Sequence, residues 1–231
     1  MEAVLINTAG GLTGGDVFDW NIVAGPGTFI TATTQACEKI YKASSDTASV
    51  RSRLEAGAGA RLHWLPQESI LFNNSSLTRT LEVDLAADAE FLAVEAMLLG
   101  RKAMGEAMEN GLVRDRWRIR REGRLIHAEE LRLGGAVAAL SRHGAVLGGR
   151  VAFATLLYTG PLSEAKLGPV RAALDSGIAQ AGGRSTGGAS EWNGRLIARL
   201  AAEDGFSLRK TLIPVISALR GGATVPKVWN L

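Results

Sequence analysis

Apolar and polar residues alternate along much of this chain. Leu81, Val83 and Leu85 are interleaved with Thr80, Glu82 and Asp84, the period of two expected of a half-buried strand. Similar β-rich runs occur at "TFITATT" (Thr28 to Thr34), "RLHWLP" (Arg61 to Pro66) and "VAFATLLYT" (Val151 to Thr159). Between them, "AGPG", "AGAGA" and "FNNSS" supply the Gly, Pro, Asn and Ser clusters that mark turns. The pattern predicts a mainly β protein.

A helical period emerges only towards the C-terminus. One helix is expected to start at Pro169 and bury Val170, Leu174 and Ile178, since proline is well tolerated at a first helical position. A second is expected from about Ser207 to Arg220, burying Leu208, Leu212, Val215, Ile216 and Leu219, with Pro214 kinking it or marking its start. "GGRSTGGAS" (Gly182 to Ser190) reads as a linker or mobile loop between the two. No repeat of convincing fixed period is present.

Arg114, Arg116, Arg118 and Arg120 alternate with Asp115, Trp117 and Ile119, so the four arginines share one face of a strand. The turn "REGR" (Arg121 to Arg124) leads into a second strand, "LIHAEELRL" (Leu125 to Leu133). Such a face could bind nucleic acid or an acidic partner. A solvated surface, salt-bridged to Glu129 or Glu130, is the commoner outcome.

The chain has 231 residues with 46% hydrophobic, enough for one large domain spanning 1–231. A formal charge of +3 is too mild to imply nucleic acid. No apolar run is long enough to span a bilayer, and no basic-then-apolar leader opens the sequence. Cys37 is the only cysteine, so no internal disulfide can form. A soluble cytoplasmic protein is expected.

Near the start, "NTAGGLTGGD" (Asn7 to Asp16) places four glycines in ten residues. A P-loop would need lysine and a hydroxyl after the last glycine, where Asp16 and Val17 stand instead. The plain alternative is a strand connection capped by Asp16. His63, His127 and His143 lack zinc-site spacing. Carboxylates are the remaining metal candidates: Asp16, Glu38, Glu68 and Glu95, with Glu106 able to take the same role. Glu95 interrupts the apolar run Phe91 to Leu99, where an ionised group must pair or bind a cation. Arg101 is its obvious local partner; for Glu38 the plain reading is a surface pair with Lys39, and for Glu68 a strand end facing water. No nucleophile elbow or H-E-x-x-H motif is present. Hydrolysis by two carboxylates on a β-solenoid stays open as an enzyme reading.

"NTAGGLTGGD", "TTQACEKIY", "WLPQESILF" and "LGRKAMGE", in this order, together with "LRGGATVPKVW" (Leu219 to Trp229), resemble the urease accessory protein family UreD, also called UreH. The resemblance covers essentially the whole chain. It implies stacked sheets with β-helical character and two helices towards the C-terminus. It also implies a non-enzymatic chaperone of nickel urease, which binds UreF, is joined by the GTPase UreG, and docks on apo-urease to deliver Ni²⁺. No nucleic acid, membrane or tightly bound cofactor is implied, and Ni²⁺ is transient.

The family further implies a water-filled passage for nickel. Asp16, Glu38, Glu95 and Glu106 match as residues that line or support it. Carboxylates suit such a role because they attract a divalent cation yet release it, where a thiolate and imidazole cage would trap it. Family members usually carry a further strand segment before the glycine-rich loop, whereas six residues precede Asn7 here.

Overall fold

The computed structural model describes residues Met1–Asn230. The chain winds between two facing sheets, leaving a strand in each on every coil. In the first sheet, β2 (Val17–Ala24), β5 (Ala48–Ala56), β8 (Ser76–Leu85) and β10 (Gly111–Arg121) run parallel, and β11 (Arg124–Gly135) pairs antiparallel with β10. In the second, β1 (Glu2–Leu5), β3 (Phe29–Thr34), β6 (Arg61–Leu65) and β9 (Glu90–Leu99) run parallel, followed by antiparallel β12 (Ala152–Thr159), β14 (Arg195–Ala202) and β13 (Ser185–Trp192). The short strands β4 (Glu38–Ile40) and β7 (Ser69–Leu71) extend this sheet beside the far half of β9. The expected mainly β, stacked-sheet architecture is present.

This is a solenoid whose coils advance unequally. Phe29 lies beside Arg61, and Arg61 beside Glu90. Corner loops of different length hide the repeat from any fixed-period reading of the sequence.

The alternating residues turn their apolar side inward. Leu54, Leu62, Val83, Phe91 and Trp117 meet between the sheets. β9 is buried on both faces, because its other side carries Leu92, Val94 and Ala96 against the helices. That is why its sequence reads as an apolar run from Phe91 to Leu99 broken only by Glu95.

Helix α1 (Val137–Ser141) is a short turn that the sequence pattern does not reveal. Helix α3 (Gly205–Leu219) buries all five residues expected of it, and the Asp204 carboxylate caps it by accepting from the Ser207 N–H at 2.7 Å. Pro214 lies inside this helix rather than at its start. Helix α2 (Ser163–Gln180) begins before Pro169, contrary to expectation. The extra turn is held by contacts outside the helix: Lys166 Nζ donates to the Leu219 carbonyl at 2.7 Å, and Leu167 packs on the core. Of its expected inner face, Val170 and Leu174 are buried, while Gly177 replaces Ile178 as the third fully buried position.

The Gly182 to Ser190 stretch is corrected more strongly. It enters β13, paired along its length with β14. Its small residues serve close packing: Ser185 Oγ and Thr211 Oγ1 share a buried hydrogen bond of 2.7 Å under α3. Only Ser185 and Ala189 of this stretch are buried, so its composition marks an exposed edge strand and not a linker.

Candidate passage and its buried ion cluster

The glycine-rich loop packs its backbone against β4 and the residue that follows it. The Leu12 N–H donates to the Lys39 carbonyl and the Tyr41 N–H to the Leu12 carbonyl, both at 2.7 Å. A Cβ at Gly11 would meet that same Lys39 carbonyl at 2.7 Å, so glycine is required for the approach. The loop thereby sets Asn7, whose Nδ2 donates to Glu38 Oε1 at 2.9 Å. Glu38 thus pairs with Asn7, not with Lys39. Burial raises its carboxyl above the ordinary range, and the Asn7 bond opposes that. Asp16 accepts from the Thr13 N–H at 2.7 Å and closes the loop's last turn.

Glu95 sits on the inward face of β9 with its side chain 4% exposed. Its partner is Arg79 of β8, 2.6 Å away across the gap between the sheets, and not Arg101. Arg79 stands directly beside Asp115 in the parallel register of β8 and β10. It donates to that carboxylate twice, from Nε at 3.2 Å and from Nη2 at 2.9 Å. Nη1 also donates to Ser69 Oγ at 3.2 Å. Trp64 Nε1 donates to Glu95 Oε1 at 2.8 Å, and Trp117 Nε1 to Asp115 Oδ2 at 3.2 Å. Two buried carboxylates therefore share one guanidinium.

The Glu95 contact is the odd member. Oε2 approaches Nη1 closely but at an angle that makes no hydrogen bond, so this buried oxygen has no hydrogen-bond donor. Burial pushes the Glu95 carboxyl well above the usual carboxylate range; Arg79 pulls it down, and the like charge of Asp115 adds to the rise.

Three cavities adjoin these groups and share lining residues. An outer one of about 200 Å³ is lined by Asn7, Gln35, Cys37 and Glu38. It shares Trp20, Thr34 and Glu38 with a middle cavity of about 50 Å³, room for a water or two, which reaches Ser52, Arg79 and Glu95. Glu95 also lines an inner cavity of about 290 Å³ with Asp115, Glu129 and Arg199. Glu38 lines both the outer and the middle cavity, and Glu95 both the middle and the inner one.

Glu68 is buried, against the expectation that it faces water. Arg209 of α3 holds it from Nε and Nη2, both at 2.7 Å. The same guanidinium donates to Gln67 Oε1 at 2.7 Å and to the Trp229 carbonyl at 2.9 Å, and so ties the C-terminal segment to the sheet. Cys37 Sγ donates to Glu68 Oε2 at 3.3 Å. Burial and the Glu68 charge push this thiol up to about 11, which keeps it protonated near neutrality and a poor metal ligand.

Glu106 lines none of these three cavities. It accepts from Arg101 Nε at 2.6 Å beside a surface hollow, and this partner holds its carboxyl below the usual range. Gly100, at φ +87°, lets the chain fold back here, since a Cβ would meet Ala107 Cα at 2.8 Å. Of the four matched carboxylates, the structure therefore brings Glu38 and Glu95 onto the cavities and leaves Asp16 and Glu106 in loops. The three histidines stay apart; His63 contacts Glu90 at 3.4 Å and His127 contacts Glu129 at 3.5 Å. The arginine face is ion-paired as its surface reading expects, with Arg114 and Arg118 within 3.3 Å of Glu130.

Arg79 and Asp115 escape a motif-based reading, but a pattern signal existed. Arg79 occupies an inward position between Leu77 and Leu81, and Asp115 one between Val113 and Trp117. Charges of opposite sign on the buried phase of two strands are candidates for one cluster.

The family profile described as UreD urease accessory protein matches residues 1–230. The urease accessory protein UreD of Rhizobium leguminosarum bv. viciae is 69% identical over 231 residues, covering 100% of this chain and 82% of the relative. The UreD of Agrobacterium fabrum is 64% identical over 230 residues, covering 100% of this chain and 78% of the relative. That of Mesorhizobium japonicum is 48% identical over 235 residues, covering 100% and 81%. With a match along its length and such identities, the chain belongs to the UreD family of urease accessory proteins.

Proposed function

We propose that the chain is a non-catalytic chaperone that joins UreF and UreG on apo-urease in the cytoplasm and passes Ni²⁺ towards the urease active site through its own interior. The observation that carries this reading is the set of three cavities with Glu38 and Glu95 as shared lining residues. A carboxylate shared by neighbouring cavities can take a divalent cation from water and give it up again. Among the described residues no three His, Cys, Asp or Glu side chains converge on one point, which favours transit over storage. Nickel is cargo in this scheme and no resident cofactor is needed.

Partner contact is assigned to the C-terminal helices and the neighbouring β13. Leu162 and Phe206, near the starts of α2 and α3, leave large apolar side chains 55% and 64% exposed. Apolar side chains set at element ends suit a protein partner.

Urease activity in cells carrying the urease subunits and the other accessory genes, at limiting nickel, tests the reading. Adding this chain should restore activity, and Glu95→Gln should lower it at least tenfold while the complex still forms. Full activation by Glu95→Gln would remove the passage and leave a scaffold; no restoration by the folded parent chain would remove the maturation role.

A further inference from the structure

Beside Glu95 the proposed passage meets a cation of the protein's own. Arg79 lines the middle cavity beside Glu95, the residue this cavity shares with the inner one, and its side chain is 8% exposed. It is anchored to both sheets, but through groups other than Glu95. The two-pronged bond to Asp115 fixes it to the neighbouring strand β10 and the bond to Ser69 fixes it to β7 of the opposite sheet, whereas its contact with Glu95 Oε2 lacks hydrogen-bond geometry. Glu95 is held independently through its other oxygen by Trp64. The contact between Arg79 and Glu95 Oε2 can therefore open without freeing either side chain.

We propose that Arg79 is a tethered competitor for Glu95: an incoming divalent cation takes Oε2 as Arg79 withdraws onto Asp115, and the returning guanidinium then expels the ion into the inner cavity. This deepens, and rests on, the passage reading above. It supplies what a bare carboxylate lacks. An ionised Glu95 in so dry a place would bind a dication strongly and release it slowly, because low dielectric strengthens the attraction. A fixed positive charge within reach cancels much of that attraction and sets the affinity at a level that permits transit. Asp115 is the parking place that keeps Arg79 charged and near while the ion passes. No bond to carbon, redox change or co-reactant is involved.

Two variants should move nickel affinity in opposite directions. In Asp115→Asn the parking charge is lost, Arg79 pairs with Glu95 alone, and Ni²⁺ binding at this site weakens at least tenfold. In Arg79→Met combined with Asp115→Asn the competitor is gone, net cluster charge is unchanged, and Ni²⁺ binds at least tenfold tighter. NiCl₂ titration of the purified full chain, followed by quenching of tryptophan fluorescence, reads both; adding Glu95→Gln to the double variant must abolish the tight site. Melting curves taken beside each titration show that the variants are folded.

A purely structural role for Arg79 would make both variants weaken binding or leave it unchanged, and either result overturns the proposal. If the double variant does not fold, Asp115→Asn decides alone, since unchanged or tighter binding there contradicts the parking role. The proposal fails separately from the passage reading. Unshifted affinities, with Glu95→Gln still defective in urease activation, reject the competitor and keep the passage.

Discussion

Arg79→Met should lower the folding free energy by about 3–5 kcal/mol, the usual cost of removing one partner from a buried ion pair. At this chain length that corresponds to a fall of about 6–20 °C in the melting midpoint. The reason is the count of charges between the sheets. Glu95 and Asp115 are 4% and 7% exposed at their side chains, and Arg79 is the cation that both contact. Without it, two carboxylates face each other in a space that water barely enters, and each must take up a proton or draw water in. Neutralising them as well, with Glu95→Gln and Asp115→Asn added to Arg79→Met, should recover most of the loss, because replacing a whole buried cluster costs far less than breaking it. Urea unfolding of the single and triple variants measures this. A single variant as stable as the parent would mean that the cluster is already hydrated.

Trp229→Ala should cost a similar amount, about 3–5 kcal/mol, as for other buried aromatic truncations. Its ring is 1% exposed and belongs to the core between the second sheet and the helices. Its indole N–H donates to Thr33 Oγ1 at 3.1 Å and lies 3.2 Å from the Leu65 carbonyl. Arg209 lies 5.5 Å from the ring centroid and reaches from there to Glu68. Removing the ring leaves a cavity and loosens the guanidinium that ties α3 to the strand ends beside the outer and middle cavities. The expected result is a lower urea midpoint together with faster protease cleavage near the C-terminus; cleavage unchanged at a lowered midpoint would show that Arg209 alone retains the segment.

The fold was legible where one periodicity dominated. The inner face of α3 follows directly from five apolar residues at helical spacing, and β8 from strict alternation. α2 was misjudged because a proline near a helix start resembles a first position, while the contacts that extend the helix upstream come from Leu219, distant in sequence. The Gly182 to Ser190 stretch reads as a linker because small polar residues look the same there and in an exposed edge strand.

The candidate site was half legible for a similar reason. Glu95 announced itself by interrupting an apolar run, and Glu38 by its place in a matched motif. Their true partners, Arg79 and Asn7, lie on neighbouring coils, and coils of unequal length give the sequence no spacing from which to pair them. Asp16 and Glu106 are conspicuous in sequence because the loops they close need them there.

The central claim is that nickel moves through the interior, and filling the middle cavity tests it most directly. Ser52 lines that cavity from β5, is 3% exposed and carries no charge. Ser52→Leu puts a larger side chain into about 50 Å³ without touching either carboxylate. With folding verified and the complex with UreF, UreG and apo-urease recovered intact, urease activity at limiting nickel should fall at least tenfold. Activity equal to that of the parent chain, with the cavity filled and the complex intact, would contradict passage through this protein.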